Sequence, residues 1–355
     1  MKIVTVVGAR PQFIKAAMVS RKLRERQEEI LVHTGQHYDY NMSRQFFEEL
    51  DIPEPDYNLG ISGGTHGKMT GHMLMAIEDV LAEEKPDKLL IYGDTNSTLA
   101  ASLAAAKLHV PICHVEAGAR THCMTNPEEI NRICADHIST LLLACTQSGI
   151  EELEKEGLGD RSFLVGDLMY DAFIHYSQAK DIRDIELTRL NGTTMKMPEK
   201  YYYLTCHREE NTDRDEDLRE ILKAADSLDA LTIYPVHPRN KKRAIRLQEA
   251  YGFKNVILTE PVGYLASICM VKNAIKIITD SGGLQREAFF AKKKCVTVLD
   301  FVVWPETMTE GRNVLSKPRA DEIIKRIEEP QTIDNSYMPF GDGNAAAKII
   351  DRLTE

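Results

Sequence analysis

The sequence predicts an α/β protein made of two doubly wound domains, and three observations carry that prediction. Short β-branched or apolar runs alternate with helix-length segments along the chain. The alternation lapses once, in the polar segment from Tyr176 to Lys200, and then resumes. At 355 residues the chain is also too long for one ordinary core.

The first series opens with Lys2-Ile3-Val4-Thr5-Val6-Val7, a β-branched run suited to a strand buried on both faces. Gly8-Ala9-Arg10-Pro11 breaks it, and a helix follows with Ile14, Ala17, Met18 and Leu23 on its apolar side. Glu29 to Thr34 reads as a strand and Met42 to Leu50 as a helix. Leu89 to Tyr92 is the next strand, ended by Gly93-Asp94-Thr95, and the alanine-rich Leu99 to Leu108 is a helix. Pro111 to Val115 and Ser139 to Ala144 complete the strands of this half. The second series runs through Tyr201–Thr205, Leu231–Tyr234, Val256–Leu258, Ile275–Ile278 and Cys295–Val298. Asn344 to Leu353 reads as a closing amphipathic helix. Strands alternating with helices imply parallel sheets wound on both faces. The divide falls near Gly166 to Asp171, giving domains 1–168 plus 342–355 and 169–341.

Composition narrows the class. The net charge of −10 argues against a nucleic-acid binder, though a basic cleft can sit inside an acidic protein. Seven cysteines, odd in number and without CxxC spacing, fit reduced thiols. No apolar run approaches the roughly 20 residues of a membrane span, and MKIVTVVGARP reads as strand and turn rather than a signal peptide. The expectation is a cytoplasmic protein that engages no membrane.

Polar, often glycine-rich turns at the strand ends carry the candidate chemistry, since open α/β sheets bind ligands there. In Gly8 to Lys15, Arg10 and Lys15 suit an anion at a helix mouth, or simply a solvated turn. Neither GxGxxG nor GxxxxGK[ST] is present, which removes the main support for a dinucleotide or P-loop site. In Gly93 to Ser97, Asp94 reads as a helix N-cap or as a site carboxylate. His114-Val115-Glu116-Ala117-Gly118 and Pro127-Glu128-Glu129-Ile130-Asn131-Arg132 bring three carboxylates near a helix start, as dipole partners or as acid/base groups. Thr205 to Asn211 offers His207 beside Arg208, and Val236 to Arg239 offers His237. Asp280-Ser281-Gly282-Gly283 before a helix reads as a phosphate cradle, or as a plain β-turn-α connection, with Glu287 about two turns on as a partner for a ribose diol.

Taken in order, GARPQFIK (8–15), TGQH (34–37), GDTNST (93–98), HVEAG (114–118), PEEINR (127–132), CHREEN (206–211), HPR (237–239), DSGGLQREA (280–288) and WPET (304–307) resemble the non-hydrolysing UDP-N-acetylglucosamine 2-epimerase family. The resemblance implies the two-domain GT-B-type glycosyltransferase fold with a central cleft. It implies that Arg10 contacts the nucleotide diphosphate, Lys15 lies near the reacting centre, and Arg132 lies on the substrate side. It makes Asp94, Glu116 and Glu128 the catalytic carboxylates and His207 the essential histidine. Ser281, Gly282 and Gly283 become the diphosphate cradle and Glu287 the ribose ligand. Gln36, His37 and His237 match parts of a second, regulatory site, although Gly64 to Met69 lacks the Arg-Gln pair that accompanies it. A homodimer is implied.

The implied reaction makes sense of the residue types. C2 of an N-acetylhexosamine carries an unactivated proton. Elimination of UDP, giving 2-acetamidoglucal, followed by re-addition after protonation of the other face, inverts C2 without a redox cofactor. It needs acid/base groups on both faces and stabilisation of the departing diphosphate. Basic groups and a helix N-terminus supply the latter, so no metal or other cofactor is expected. Leu299, Val302 and Val303 stand where the family has Arg, Thr and Glu, an apolar loop in place of a polar one. That departure leaves the sugar open between UDP-N-acetylglucosamine and a modified relative such as UDP-2,3-diacetamido-2,3-dideoxyglucuronate. A hydrolysing epimerase, a glycosyltransferase and a non-catalytic UDP-sugar binder are the rival readings.

Overall fold

The computed structural model describes residues 1–36, 47–302 and 304–355. The chain forms two compact units, Met1–Ala172 with Met338–Glu355, and Phe173–Tyr337. The first crossing falls inside the helix Leu168–Tyr176, a few residues beyond the divide read from sequence, because no Gly/Pro linker marks it. No helix among the described residues is long and apolar enough to cross a membrane. All seven cysteines are free thiols.

Unit 1 is built on strands β1 (Lys2–Val7), β2 (Glu28–His33), β3 (Tyr57–Asn58), β4 (Lys88–Tyr92), β5 (Ile112–Ala117), β6 (Leu141–Ala144) and β7 (Ser162–Leu164). They pair in the order β3-β2-β1-β4-β5-β6-β7, every pair parallel. Val4, Val6, Leu89 and Ile91 face helices His66–Glu84 and Asn96–Lys107 in one core. Ala100, Ala101, Ala104 and Ala105 are fully buried there, so the second helix lies close on the sheet. The helix His66–Glu84 escapes sequence reading. Gly67 and Gly71 weaken its first turns, and only Met73, Ile77, Val80 and Leu81 are buried. Of the helix expected over Met42 to Leu50, residues 47–50 are helical, and 42–46 lie outside the described residues.

The C-terminal helix Ala345–Thr354 belongs to unit 1. Asp171 caps it from 174 positions away, accepting the Ala345 and Ala346 N–H groups at 3.1 and 2.8 Å. Its buried face is Ile349, Ile350 and Leu353.

Unit 2 repeats the architecture. The polar stretch after Tyr176 folds into an antiparallel pair, β8 (Glu186–Thr188) and β9 (Thr194–Lys196). Then come β10 (Tyr201–Thr205), β11 (Leu231–Pro235), β12 (Val256–Thr259), β13 (Ile277–Thr279), β14 (Cys295–Thr297) and β15 (Asn313–Leu315). Their order is β12-β11-β10-β13-β14-β15, again all parallel. Strand order therefore reverses between β1 and β4 in unit 1 and between β10 and β13 in unit 2, the switch points at which doubly wound sheets open a binding crevice.

One backbone irregularity shapes the unit 1 switch point. The register of β5 against β6 slips between Val115 and Ala117, and Glu116 takes a left-handed φ of 71°. The strand therefore runs past the expected Val115 end, with Glu116 inside a bulge that re-aims its side chain. Gly118 follows at φ 82°, so close to helix Gln147–Lys155 that an added Cβ would lie 2.2 Å from the Gly149 carbonyl oxygen. Gly118→Ala is therefore expected to destabilise unit 1 by about 3 kcal/mol or more, read as a lowered urea midpoint or as loss of soluble protein.

Candidate active site

In unit 1 two of the carboxylates expected from sequence, Asp94 and Glu116, sit at the ends of the neighbouring strands β4 and β5. Lys15, one turn into helix Arg10–Leu23, places its Nζ 2.6 Å from Glu116 Oε2, with both side chains buried. Gly93 permits this approach. Its φ is 61°, and a Cβ there would stand 3.4 Å from Lys15 Nζ and 3.6 Å from Glu116 Oε1. Asp94 follows, and its carboxylate pairs with the Arg132 guanidinium. The helix N-cap is Thr95 rather than Asp94, since Thr95 Oγ1 accepts from Thr98 N at 3.4 Å. Asp94 is thus free of the capping role that was its bland alternative.

Helix Pro127–Ile138 supplies the rest. Asn126 caps it, and Glu128 stands exposed in its first turn. Asn131 Nδ2 donates to the Asp94 carbonyl oxygen at 2.8 Å. Glu129 accepts from Thr121 N, Thr121 Oγ1, His122 N and Arg132 Nη1 at 2.8–3.1 Å. Burial pushes the Glu129 carboxyl up, but these donors outweigh it and hold it below its ordinary value. Burial likewise opposes the Arg132 charge, yet Asp94, Glu116 and Glu129 hold that group above its usual range. The sequence reading places Glu129 among three carboxylates as dipole partners or acid/base groups; the structure gives it an anchoring role instead. It anchors the start of the loop 121–126 and fixes the arginine that pairs with Asp94.

Gln12 is a residue that sequence reading passed over. Its Oε1 accepts from Gly8 N and Ala9 N at 2.8 and 3.1 Å, while Nε2 donates to the Tyr92 carbonyl oxygen at 2.7 Å. It thus ties the β1 turn to the end of β4 across the switch point. Arg10 opens the same helix and is half-buried. Glu116, Cys145 and Asp167 bring one ligand atom each within 4.8 Å of one another. Glu116 already has a cation partner in Lys15, which argues for a charge-neutralised carboxylate there rather than a metal ligand.

In unit 2 the switch point holds His207, Asp280 and the glycine turn. Asp280 is buried and accepts from the backbone N–H groups of His207 and Arg208, each at 2.9 Å, and from Asn211 Nδ2 at 3.3 Å. His207 Nδ1 lies 3.1 Å from Asp280 Oδ1, which orients the ring. Burial would raise the Asp280 carboxyl, but the His207 side chain and the two backbone donors together hold it below the ordinary carboxylate range. The sequence reading takes Asp280 only as the start of the Asp-Ser-Gly-Gly turn and not as the partner of His207. Ser281 caps helix Gly282–Phe290, accepting from Leu284 N at 3.3 Å, so the turn is a capped β-turn-α connection with its N–H groups at the strand end. Glu287 is buried on that helix. Beyond β14, Leu299 is buried and the Arg208 guanidinium lies 5.3 Å from the Phe301 ring centroid, while Val303 lies outside the described residues.

Of the candidate second-site residues, Gln36 accepts from Ser97 N and Ser97 Oγ at 3.2 and 2.8 Å in unit 1. His237 is exposed in unit 2, stacked on His207 at 6.2 Å. His37 lies outside the described residues.

Comparison with known proteins gives a consistent result. The family model for UDP-N-acetylglucosamine 2-epimerase matches residues 21–354. A Methanococcus maripaludis protein described as a UDP-N-acetylglucosamine 2-epimerase homolog is 45% identical over 357 residues, covering 99% of both chains. The UDP-2,3-diacetamido-2,3-dideoxy-D-glucuronate 2-epimerase of Pseudomonas aeruginosa is 45% identical over 366 residues, covering all of both. The crystal structure of the Methanocaldococcus jannaschii UDP-GlcNAc 2-epimerase in complex with UDP-GlcNAc and UDP superposes with a TM-score of 0.87 at 37% identity, over 100% of this chain and 99% of that one.

The Asp280 environment sets a pH dependence. A carboxyl held below its unfolded value contributes stability that is fully present above the ordinary carboxylate range and is lost as pH falls through the folded value. The single tryptophan, Trp304, lies in unit 2 and reports its unfolding. Urea midpoints followed by Trp304 fluorescence are expected to be lower in Asp280→Asn than in wild type at pH 7, and to converge as the pH falls below about 4.

Proposed function

The chain belongs to the UDP-N-acetylglucosamine 2-epimerase family, and from that premise we propose that it inverts C2 of a UDP-linked 2-acetamido sugar without releasing the free sugar. UDP-N-acetylglucosamine and its manno epimer are the first pair. The observation that carries this reading is the buried Lys15–Glu116 pair beside the Asp94–Arg132 pair, at the ends of adjacent strands β4 and β5. Two carboxylates, each held by its own cation, are ready as proton-transfer groups, and Glu128 stands exposed one helix away.

In this reading a carboxylate of unit 1 removes the C2 proton as the C1–O bond breaks and UDP departs. The product is 2-acetamidoglucal. A second acid/base group of the set Asp94, Glu116 and Glu128 delivers a proton to the opposite face of C2, and UDP re-adds at C1. Atoms balance with no oxidant and no hydride carrier. The departing diphosphate gathers negative charge, and unit 2 offers the donors for it: the N-terminus of helix Gly282–Phe290, Ser281 and the oriented His207. Nothing in the protein crowds a Cβ at Gly283, whose nearest contact would be Ser281 Oγ at 3.7 Å. In this reading the diphosphate takes that space, which accounts for glycine there. Arg10 and Glu287 complete the nucleotide contacts in this proposal. The product would serve a cell-surface polysaccharide, made by a cytoplasmic homodimer.

A second substrate reading is favoured by the full-length 45% match to the diacetamido-glucuronate 2-epimerase. Leu299, Val302 and Val303, where the family has Arg, Thr and Glu, support a modified sugar, because polar side chains are replaced where the sugar contacts are expected. The chemistry at C2 is the same for both sugars.

Proton NMR in deuterated water decides among these readings. With UDP-N-acetylglucosamine, deuterium at C2 and a gluco/manno mixture of UDP-sugars are expected. Free N-acetylmannosamine with UDP indicates a hydrolysing enzyme instead. Turnover of UDP-2,3-diacetamido-2,3-dideoxyglucuronate alone moves the assignment to that sugar. Glu116→Gln is expected to lower kcat by about 10²- to 10⁴-fold. Gly283→Ala is expected to leave the urea midpoint unchanged while weakening UDP binding about tenfold, ~1.4 kcal/mol, by titration calorimetry.

A further inference from the structure

We propose that His114 carries a proton on both ring nitrogens and, as a buried imidazolium, latches the Asp94 turn to the bulged Glu116 strand, which makes it a positioning residue for both carboxylates. The ring is fully buried in the middle of β5. Its Nε2 lies 2.7 Å from the carbonyl oxygen of Gly93, and its Nδ1 lies 2.7 Å from Asp136 Oδ1. A carbonyl oxygen only accepts, so Nε2 bears a hydrogen. A neutral ring would then turn the lone pair of Nδ1 toward Asp136, tolerable only if Asp136 were itself protonated.

The surroundings of Asp136 oppose that alternative. Its Oδ2 accepts from Gly118 N at 3.1 Å and meets the Arg120 guanidinium at 2.8 Å, contacts that favour the carboxylate. Burial pushes the Asp136 carboxyl up, but His114 and Arg120 outweigh it and hold it below its ordinary range. Among the described residues, the charged and titratable groups facing this cluster are Asp136 and His137 of helix Pro127–Ile138, Arg120 of the loop after β5, and Glu156 after helix Gln147–Lys155. Arg120 Nε reaches Glu156 at 2.7 Å, and His137 Nε2 reaches it at 3.1 Å. From the β4 end the ring meets the Gly93 carbonyl, and Asp94, the next residue, pairs with Arg132.

The arrangement brackets Glu116 on both sides. His114, two residues before it, and the N–H of Gly118, two residues after it, bind the two oxygens of one carboxylate. A left-handed Glu116 costs about 1–3 kcal/mol and persists only when its flanks are pinned. The other ring nitrogen pins Gly93, the residue before Asp94. One cation thus fixes the spacing of two side chains on neighbouring strands.

This inference rests on the reading that Asp94 and Glu116 transfer protons, but its first test does not. Neutron diffraction from crystals of the wild-type full chain, grown in deuterated buffer at pH 7, is expected to show deuterons on both Nδ1 and Nε2 of His114 and none on Asp136. A deuteron on one ring nitrogen only, or on Asp136, overturns the proposal whatever the enzyme's activity. The second test is His114→Gln, assayed with the sugar the wild type turns over. A fall in kcat of about 10- to 100-fold is expected, with KM and UDP affinity within twofold of wild type. Unchanged kcat in a folded variant overturns the positioning role. Absence of turnover by the wild type on every sugar bears on the epimerase reading alone, and the neutron result stands apart from it.

Discussion

The ion pair between Lys15 and Glu116 is the constraint around which unit 1 is arranged. Two charges out of water cost several kcal/mol each unless they meet at close range with their remaining valences satisfied. At 2.6 Å they do meet, but the geometry makes demands on three separate segments. The helix carrying Lys15 must start immediately after β1, which Gln12 secures by holding the Gly8 and Ala9 N–H groups. The β4 turn must pass without a side chain, which Gly93 allows. The β5 strand must bulge, which places Glu116 at φ 71°. Each feature is unfavourable alone and becomes intelligible once the pair is fixed.

Both units solve the problem of orienting a histidine in a related way, with different results. In each, a buried carboxylate binds a histidine Nδ1 and the backbone N–H of the strand-end turn. In unit 1 the carboxylate is Asp136, and the histidine spends its other nitrogen on the Gly93 carbonyl within a fully buried cluster. In unit 2 it is Asp280, and the side chain of His207 remains 43% exposed. The first arrangement uses imidazole as a fastener. The second holds a ring at the surface of a switch point, where it can meet a ligand. Burial and the identity of the second partner separate the roles, not residue type.

The architecture was legible because its signals are local. β1, β4 and β10 are short apolar runs ended by Gly or polar turns, and their reading from sequence agrees with the structure to within a residue. The helix His66–Glu84 was illegible because its glycines dilute the helical period and its burial comes from tertiary contact. β15 is three residues long and carries almost no pattern. At the candidate site, the motifs pointed to the turns but not to the residues acting through others. Gln12, Asp136 and Asp280 draw their importance from partners on other elements of the sheet, and Glu129 from the backbone of the loop before its helix, none of which the motifs themselves announce. The bulge at Glu116 was also hidden. Nothing in His-Val-Glu-Ala-Gly distinguishes a bulged strand from a regular one, and the strain is imposed by Lys15, Asp136 and the close approach of Gly118 to Gly149.

Chemistry and sugar choice fall on different parts of the chain in the proposed reading. Inverting C2 through elimination asks for carboxylates, cations and a diphosphate cradle, and those demands do not change with the substituent at C3 or C6. The groups assigned to them sit on strand ends and capped helices, held by buried contacts that leave little room for variation. The stretch from Leu299 to Trp304 is differently built. Leu299 is buried, Phe301 lies under the Arg208 guanidinium, and Trp304 lies 4.0 Å beneath that of Arg286. Its ends are tied by hydrogen bonds, Leu299 N to the Thr297 carbonyl and Thr307 to the Trp304 carbonyl, while the side chains of Leu299, Phe301 and Trp304 offer aliphatic and aromatic surface. Such a loop can exchange apolar for polar side chains without disturbing Asp280 or the Ser281 cap, because neither depends on it for a partner.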